Sequence, residues 1–210
     1  MGGSNVWVNG KKSAAMGNPV LMLDARVPAS YSGSGSDWNN LAIDGTQATF
    51  ENAPGFDDGA IVFDGSTRAN MNLLDITFTY NGDWSIELFI NPEPTQAMYA
   101  GVFGDHDCSG TTGMVMQQRG GRNNGYYFGT GSSSAPVGWR RLGNADLAQD
   151  PTMVAPTGEW THIVITAKKG GQFLFYVNGE SIMTDTVQPG GYPFDCKMVM
   201  LSRFACCPSR

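Results

Sequence analysis

Apolar and polar residues alternate most cleanly in two stretches of the chain. In Trp84-Ser85-Ile86-Glu87-Leu88-Phe89-Ile90, the residues Trp84, Ile86, Leu88 and Ile90 share one face of a strand, and Pro92 and Pro94 end it. Trp160-Thr161-His162-Ile163-Val164-Ile165-Thr166 repeats the pattern, turns at Gly170-Gly171, and continues as Phe173-Leu174-Phe175-Tyr176-Val177. Asn178-Gly179 follows. That pair between two apolar runs is a strong hairpin signal, because both residues accept a positive φ, and Ser181 to Thr184 is the expected return strand.

Shorter strands are expected at Val20 to Asp24 (opened by Pro19), 47–50, 60–64, Tyr99 to Phe103, Met114 to Gln118, Tyr126 to Phe128 and Lys197 to Ser202. Residues 28–37 form a turn-rich loop that Trp38 and Leu41 anchor, and residues 119–125 suit a hairpin loop. Residues 129–159 read as one long connection rich in Gly, Ser and Pro. Val6-Trp7-Val8 before Asn9-Gly10 reads as an N-terminal arm or edge hairpin over residues 1–18. No segment has a helical period, and no internal repeat is evident. About a dozen strands with turn chemistry between them predict one all-β domain over 19–210, an antiparallel β-sandwich.

Composition sharpens this picture. Charged residues are 15% of the 210, Gly occurs 28 times and Glu five times, which suits short strands and tight turns and disfavours helices. A net charge of −6 argues against nucleic acid as a partner. No apolar run reaches the length of a membrane helix, so no membrane insertion is expected. The first residues lack the basic and apolar segments of a secretory signal, as expected of a cytosol-made chain or of one already processed. Cys108, Cys196, Cys206 and Cys207 have no C-x-x-C spacing. They read as free, partly buried thiols, or as one disulfide from Cys108 to Cys196 or Cys206.

Four motifs carry a family resemblance. They are Leu21-Met22-Leu23-Asp24-Ala25-Arg26 with the Ser30 to Gly35 loop and Trp38; Ile61-Val62-Phe63-Asp64-Gly65; Trp84 to Ile90; and Glu159 to Ile165 followed by Phe175-Tyr176-Val177-Asn178-Gly179. Their order and spacing over residues 19–202 resemble the laminin-G-like, concanavalin A-like lectin-glucanase jelly-roll domains, of the type found in phage and large-virus structural proteins. Members of that family usually close with a further strand near the N-terminal one. This chain ends at Phe204-Ala205-Cys206-Cys207-Pro208-Ser209-Arg210 without it, so an open sheet edge is expected there, to be covered by the N-terminal residues, by another chain, or by sequence beyond this one.

The chemistry is sparse. Retaining hydrolysis on this architecture needs carboxylates on one face of a strand, yet no Glu here has an Asp two residues on. Glu87 is therefore expected to be structural or solvent-facing, and His162 to fill a core or edge position. Ser34, between two glycines, belongs to a loop. Asp105 and Asp107, in Asp105-His106-Asp107-Cys108, either offer oxygens to calcium or form a hydrated turn. The resemblance favours calcium somewhat, since related domains hold it at a loop rim; no other cofactor is implied. Asp57-Asp58-Gly59 is a weaker cluster of the same kind. Tyr126, Tyr127, Trp139 and Arg140 gather aromatic and basic groups suited to a glycan or to a partner contact. The expected function is non-enzymatic: a virion structural protein (capsid decoration, fibre or minor capsid component) that is oligomeric and contacts capsid proteins and glycans. The alternative is a free-standing, carbohydrate-binding, lectin-like module with an extracellular location.

Overall fold

The computed structural model describes residues 2–5, 19, 21–42, 45–64, 67–78, 83–94, 100–104, 112–119, 125–132, 139–143, 156–167, 172–186 and 194–201. Among them every regular element is a strand. The strands are β1 (Gly2–Asn5), β2 (Asp37–Asn39), β3 (Gln47–Phe50), β4 (Gly55–Asp57), β5 (Ala60–Phe63), β6 (Ala69–Phe78), β7 (Trp84–Asn91), β8 (Ala100–Gly104), β9 (Thr112–Arg119), β10 (Gly125–Ser132), β11 (Trp139–Gly143), β12 (Thr161–Ala167), β13 (Gln172–Val177), β14 (Glu180–Thr186) and β15 (Phe194–Leu201). They form two antiparallel sheets, ordered β14-β13-β12-β7-β1-β5-β4 and β11-β10-β9-β8-β15-β6-β3-β2. The chain crosses repeatedly between them, and one apolar cluster fills the space where their inner faces meet. This is the expected antiparallel sandwich.

The period-two reading of β7 and β12 holds residue by residue. Along β12, Thr161, Ile163, Ile165 and Ala167 are buried, while His162, Val164 and Thr166 are half-buried on the other side. On β7, Leu88 and Ile90 are buried, and Trp84 and Ile86 pack against the same core. The two strands pair with Ile163 opposite Leu88 and Ile165 opposite Ile86, so both inner rows meet one core. Phe175 of β13, fully buried, extends it. The other sheet contributes Trp38, Ala48, Phe50, Ala69, Phe103 and Met116. Trp38 stacks on Phe50 at 5.9 Å, Tyr31 meets Phe50 edge-on at 5.8 Å, and Phe50 reaches Phe63 of the facing sheet at 6.2 Å.

Several expectations are corrected. Residues 21–24 form no strand, although Leu23 and Asp24 are buried. Their backbone is satisfied by side chains and a loop: Met22 N–H donates to Asn40 Oδ1 (2.8 Å), Asp24 N–H to Ser30 Oγ (3.2 Å), and Leu41 N–H to Met22 O (2.8 Å). An apolar run fixes burial but not a ladder. The connection read between 129 and 159 contains the end of β10 and all of β11, which pair with each other. Asp57-Asp58-Gly59 is hairpin chemistry: Asp58 and Gly59 have φ of 45° and 75°, as a two-residue turn between β4 and β5 requires. A Cβ on Gly59 would stand 2.7 Å from Arg26 Cγ, a second reason for glycine there.

Within the described residues, the N-terminal segment enters a sheet. β1 pairs with both β5 and β7, so Gly2–Asn5 lies inside the seven-stranded sheet and satisfies backbone groups on both neighbours. β15 lies between β6 and β8 in the other sheet. Val6-Trp7-Val8, the segment expected to serve as the arm, lies outside the described residues.

Candidate functional site

Core packing consumes one face of β7, β12 and β13 and leaves the other to solvent. Opposite Val164 stand Glu87 on one side and Tyr176 on the other; opposite His162 stands Phe89. Glu87, Phe89, His162, Val164 and Tyr176 are all half-buried and take no part in the core cluster. They form the middle of the outward face of the seven-stranded sheet.

His162 is held from three directions. Its ring lies nearly parallel to Phe89, with centroids 4.6 Å apart and planes at 17°. Its Nε2 is 2.7 Å from Glu87 Oε1, with the imidazole 29% and the carboxylate 15% exposed. Its backbone is clamped by the turn residue Asn178, whose N–H donates to His162 O (2.8 Å) and whose Oδ1 accepts from His162 N–H (2.9 Å). Among the described residues, this leaves Nδ1 as the ring atom without a protein partner. Glu87 and His162 are diagonal neighbours on adjacent strands, the spacing at which long side chains reach each other.

Trp160 lies just before β12, two residues from His162. It precedes Thr161, whose side chain is fully buried, and is itself 46% exposed, one of two large apolar side chains in the described residues that stand out in solvent. The segment before it is fixed by Gly158, at φ 74°, whose N–H donates to Pro92 O (2.8 Å). Trp160, the His162–Phe89 stack and the Val164–Tyr176 pair follow at steps of two residues, ~7 Å each along the strand. By strand spacing the row spans about 14 Å, with exposed Trp160 at one end and the Glu87 carboxylate and His162 imidazole farther along it.

The residues singled out in sequence are distributed otherwise. Asp105 and Asp107 lie outside the described residues. Tyr126 and Tyr127 are at the start of β10, while Trp139 and Arg140 open β11, the last strand of the eight-stranded sheet. Trp139 pairs with Gly131 and Arg140 with Thr130, so Tyr127 and Arg140 are three ladder positions apart, ~10 Å, and Tyr126 and Trp139 five, ~17 Å. The hairpin brings the two pairs onto adjacent strands but spreads them along it. The Glu87–His162 contact was invisible in sequence because its partners are 75 residues apart. Among the described residues, no three His, Cys, Asp or Glu side chains converge as metal ligands, so the calcium expectation rests on Asp105 and Asp107 alone.

Comparison with known proteins agrees with this architecture. A family model described as the concanavalin A-like lectin/glucanases superfamily matches residues 63–198. Among solved structures, the ligand-binding domain of botulinum neurotoxin serotype D in complex with N-acetylneuraminic acid is similar at TM-score 0.53 and 15% identity, over 84% of this chain and 44% of that one. The serotype G binding domain matches at TM-score 0.54 and 12% identity, over 90% and 44%. A further serotype D binding domain matches at 0.55 and 13%, over 82% and 44%. The chain therefore spans less than half the length of these structures, and at such identities the likeness is one of fold. No curated protein matches the chain.

Proposed function

The chain belongs to the concanavalin A-like lectin/glucanase superfamily, and from that premise we propose that it is a non-catalytic binding module that takes carbohydrate on the outward face of its seven-stranded sheet. One observation carries this reading: exposed Trp160 lies two residues before His162, whose ring stacks on Phe89 and bonds Glu87. Sugars bind through apolar ring faces laid on aromatic side chains and through hydroxyls that need acceptors and donors nearby. Trp160 supplies the platform, Glu87 an acceptor, and His162 Nδ1 an uncommitted polar atom among the described residues.

The same geometry argues against glycoside hydrolysis. Both hydrolytic routes use two carboxyl groups flanking the scissile bond, about 5–5.5 Å apart for retention and 6.5–9.5 Å for inversion. On the face described, Glu87 has His162 as its partner, and its same-face neighbours along the strand are Ser85 and Phe89. The neurotoxin domain solved with N-acetylneuraminic acid supports a ligand-binding use of the fold. The test is binding to an array of neutral and anionic glycans by the purified chain and by Trp160→Ala. The reading expects binding that the substitution abolishes without lowering the melting temperature, and no hydrolysis of laminarin, agar or carrageenan. Turnover lost in Glu87→Gln would reverse the assignment.

Attachment to a virion shell, with capsid proteins as partners, is the second reading, and location at a cell exterior belongs to the first. What favours assembly is β11. Its Trp139-Arg140-Arg141-Leu142-Gly143 ends the eight-stranded sheet, pairing with β10 on one side. A strand from a partner can add to such an edge, with Trp139 and Arg140 at the contact. Mass in solution decides it: oligomers dispersed by Leu142→Pro support assembly, and a monomer at high concentration opposes it.

A further inference from the structure

The outward face also carries a charge pattern that selects among glycans. Among the described residues of β7, β12, β13, β14 and their flanks (83–94, 156–167 and 172–186) there is no Lys or Arg, and the outward row holds the carboxylate of Glu87, opposite Val164. Glu159 adjoins Trp160 and is exposed, and Glu87 meets the ring of His162 at Nε2. The one basic side chain of these segments, His162, already has its Nε2 against Glu87.

We infer that the ligand of this face is a neutral oligosaccharide, and that glycans ending in sialic acid or bearing sulfate are rejected. The inference rests on the carbohydrate-binding reading above and narrows it. An anionic sugar laid on Trp160 would set its charge near Glu159 and Glu87, with no guanidinium or ammonium among the described residues of these strands to receive it. Two unit charges about 7 Å from a like charge, screened by water, together oppose binding by roughly tenfold. A neutral sugar meets no such term, and its hydroxyls can donate to those carboxylates. The length of the row, ~14 Å, suits a short chain better than a single ring.

The experiment compares neutral galacto-, gluco- and N-acetylglucosamine oligosaccharides with the sialylated or sulfated forms of the same chains, on the full chain, by calorimetry at low and at physiological salt. The expected result is a neutral ligand at least about tenfold tighter than its anionic form. The gap should narrow as salt rises and also in Glu159→Lys, and Trp160→Ala should lose both. An anionic form that binds as tightly as the neutral one, or tighter, overturns the charge inference and leaves the carbohydrate reading standing. Absence of any glycan binding overturns the reading itself. A lysine-rich peptide that binds in place of glycans, and is lost in Trp160→Ala, overturns both and reassigns the face to a basic protein segment.

Discussion

The β12–β13 turn holds His162 in place, and its energetics can be worked from the structure. Asn178 has φ 50° and Gly179 φ 85°, so both sit where side chains with a Cβ are strained. Asn178 tolerates this and adds a bond, its Oδ1 accepting from His162 N–H at 2.9 Å. Asn178→Ala loses that bond, about 0.5–1 kcal/mol for an exposed partner, and adds roughly 1 kcal/mol of left-handed strain. The sum is about 1.5–2 kcal/mol. Asn178→Gly loses the bond but relieves the strain, costing about 0.5–1 kcal/mol. Asn178→Asp keeps the acceptor and the tolerance, as Asp58 does at φ 45° in the β4–β5 turn, and stays within about 0.5 kcal/mol of the parent. For a chain of this size each kcal/mol moves the melting temperature by roughly 2–4 °C. Scanning calorimetry should therefore give the order Asn, Asp, Gly, Ala, with Ala about 5 °C below the parent. Equal losses in Gly and Ala would refute the strain argument, and no loss in Gly would refute the bond.

Three further outcomes follow from other contacts. In a double-mutant cycle on urea unfolding, Glu87→Gln with His162→Phe (which keeps a ring against Phe89) should show a coupling of about 1 kcal/mol; additivity within about 0.3 kcal/mol would show the pair to be energetically idle. Burial raises the phenol pKa of Tyr31, whose O–H donates to Gly35 O at 3.3 Å. The unfolded tyrosine then releases its proton near pH 10 while the folded one keeps it, so stability falls as pH rises above about 10, by up to ~1.4 kcal/mol per pH unit. Tyr31→Phe should flatten that slope, and an unchanged slope would discount the burial effect. Calcium at Asp105 and Asp107 predicts a lower melting temperature in chelator that Asp105→Asn with Asp107→Asn abolishes; a melting temperature indifferent to chelator discards the site.

What was legible in the sequence was what burial dictates. β7, β12 and β13 alternate because each has one face in the core, and Asn178-Gly179 announces its own turn. β4 could not be read that way, since Gly55, Phe56 and Asp57 are all exposed and carry no alternation. β1 is Gly-Gly-Ser-Asn, without β-branched or aromatic residues; its place comes from the backbone groups of β5 and β7 on either side of it. In β6, Asn70, Asn72 and Asp75 interrupt the apolar run, and the strand is secured by pairing with β15 and β3. The site was legible only in its parts. Glu87 and His162 each looked isolated, and they become neighbours only through the register that sets Ile163 against Leu88.

That register also explains why the core and the candidate site can change independently. In an antiparallel pair, a residue and its cross-strand partner lie on one face, and the residues on either side of them lie on the other. The register that seats Ile163 and Ile165 against Leu88 and Ile86 therefore brings His162 and Val164 against Phe89 and Glu87 on the outside, whatever those residues are. The inner residues must fill a closed space and tolerate little, because truncating a buried Leu, Ile or Phe costs 2–5 kcal/mol. The outer residues need only suit a β-strand. Trp160 is freer still: it precedes the strand and is held by a turn whose Gly158 N–H bonds the backbone of Pro92, so its ring can be exchanged without touching the ladder. A slip of one residue in β12 would exchange the two faces, burying His162 and exposing Ile163. Asn178 opposes that slip directly, because both of its bonds end on the His162 backbone. The turn that stabilises the hairpin is thus also what keeps the imidazole on the face where a ligand can reach it.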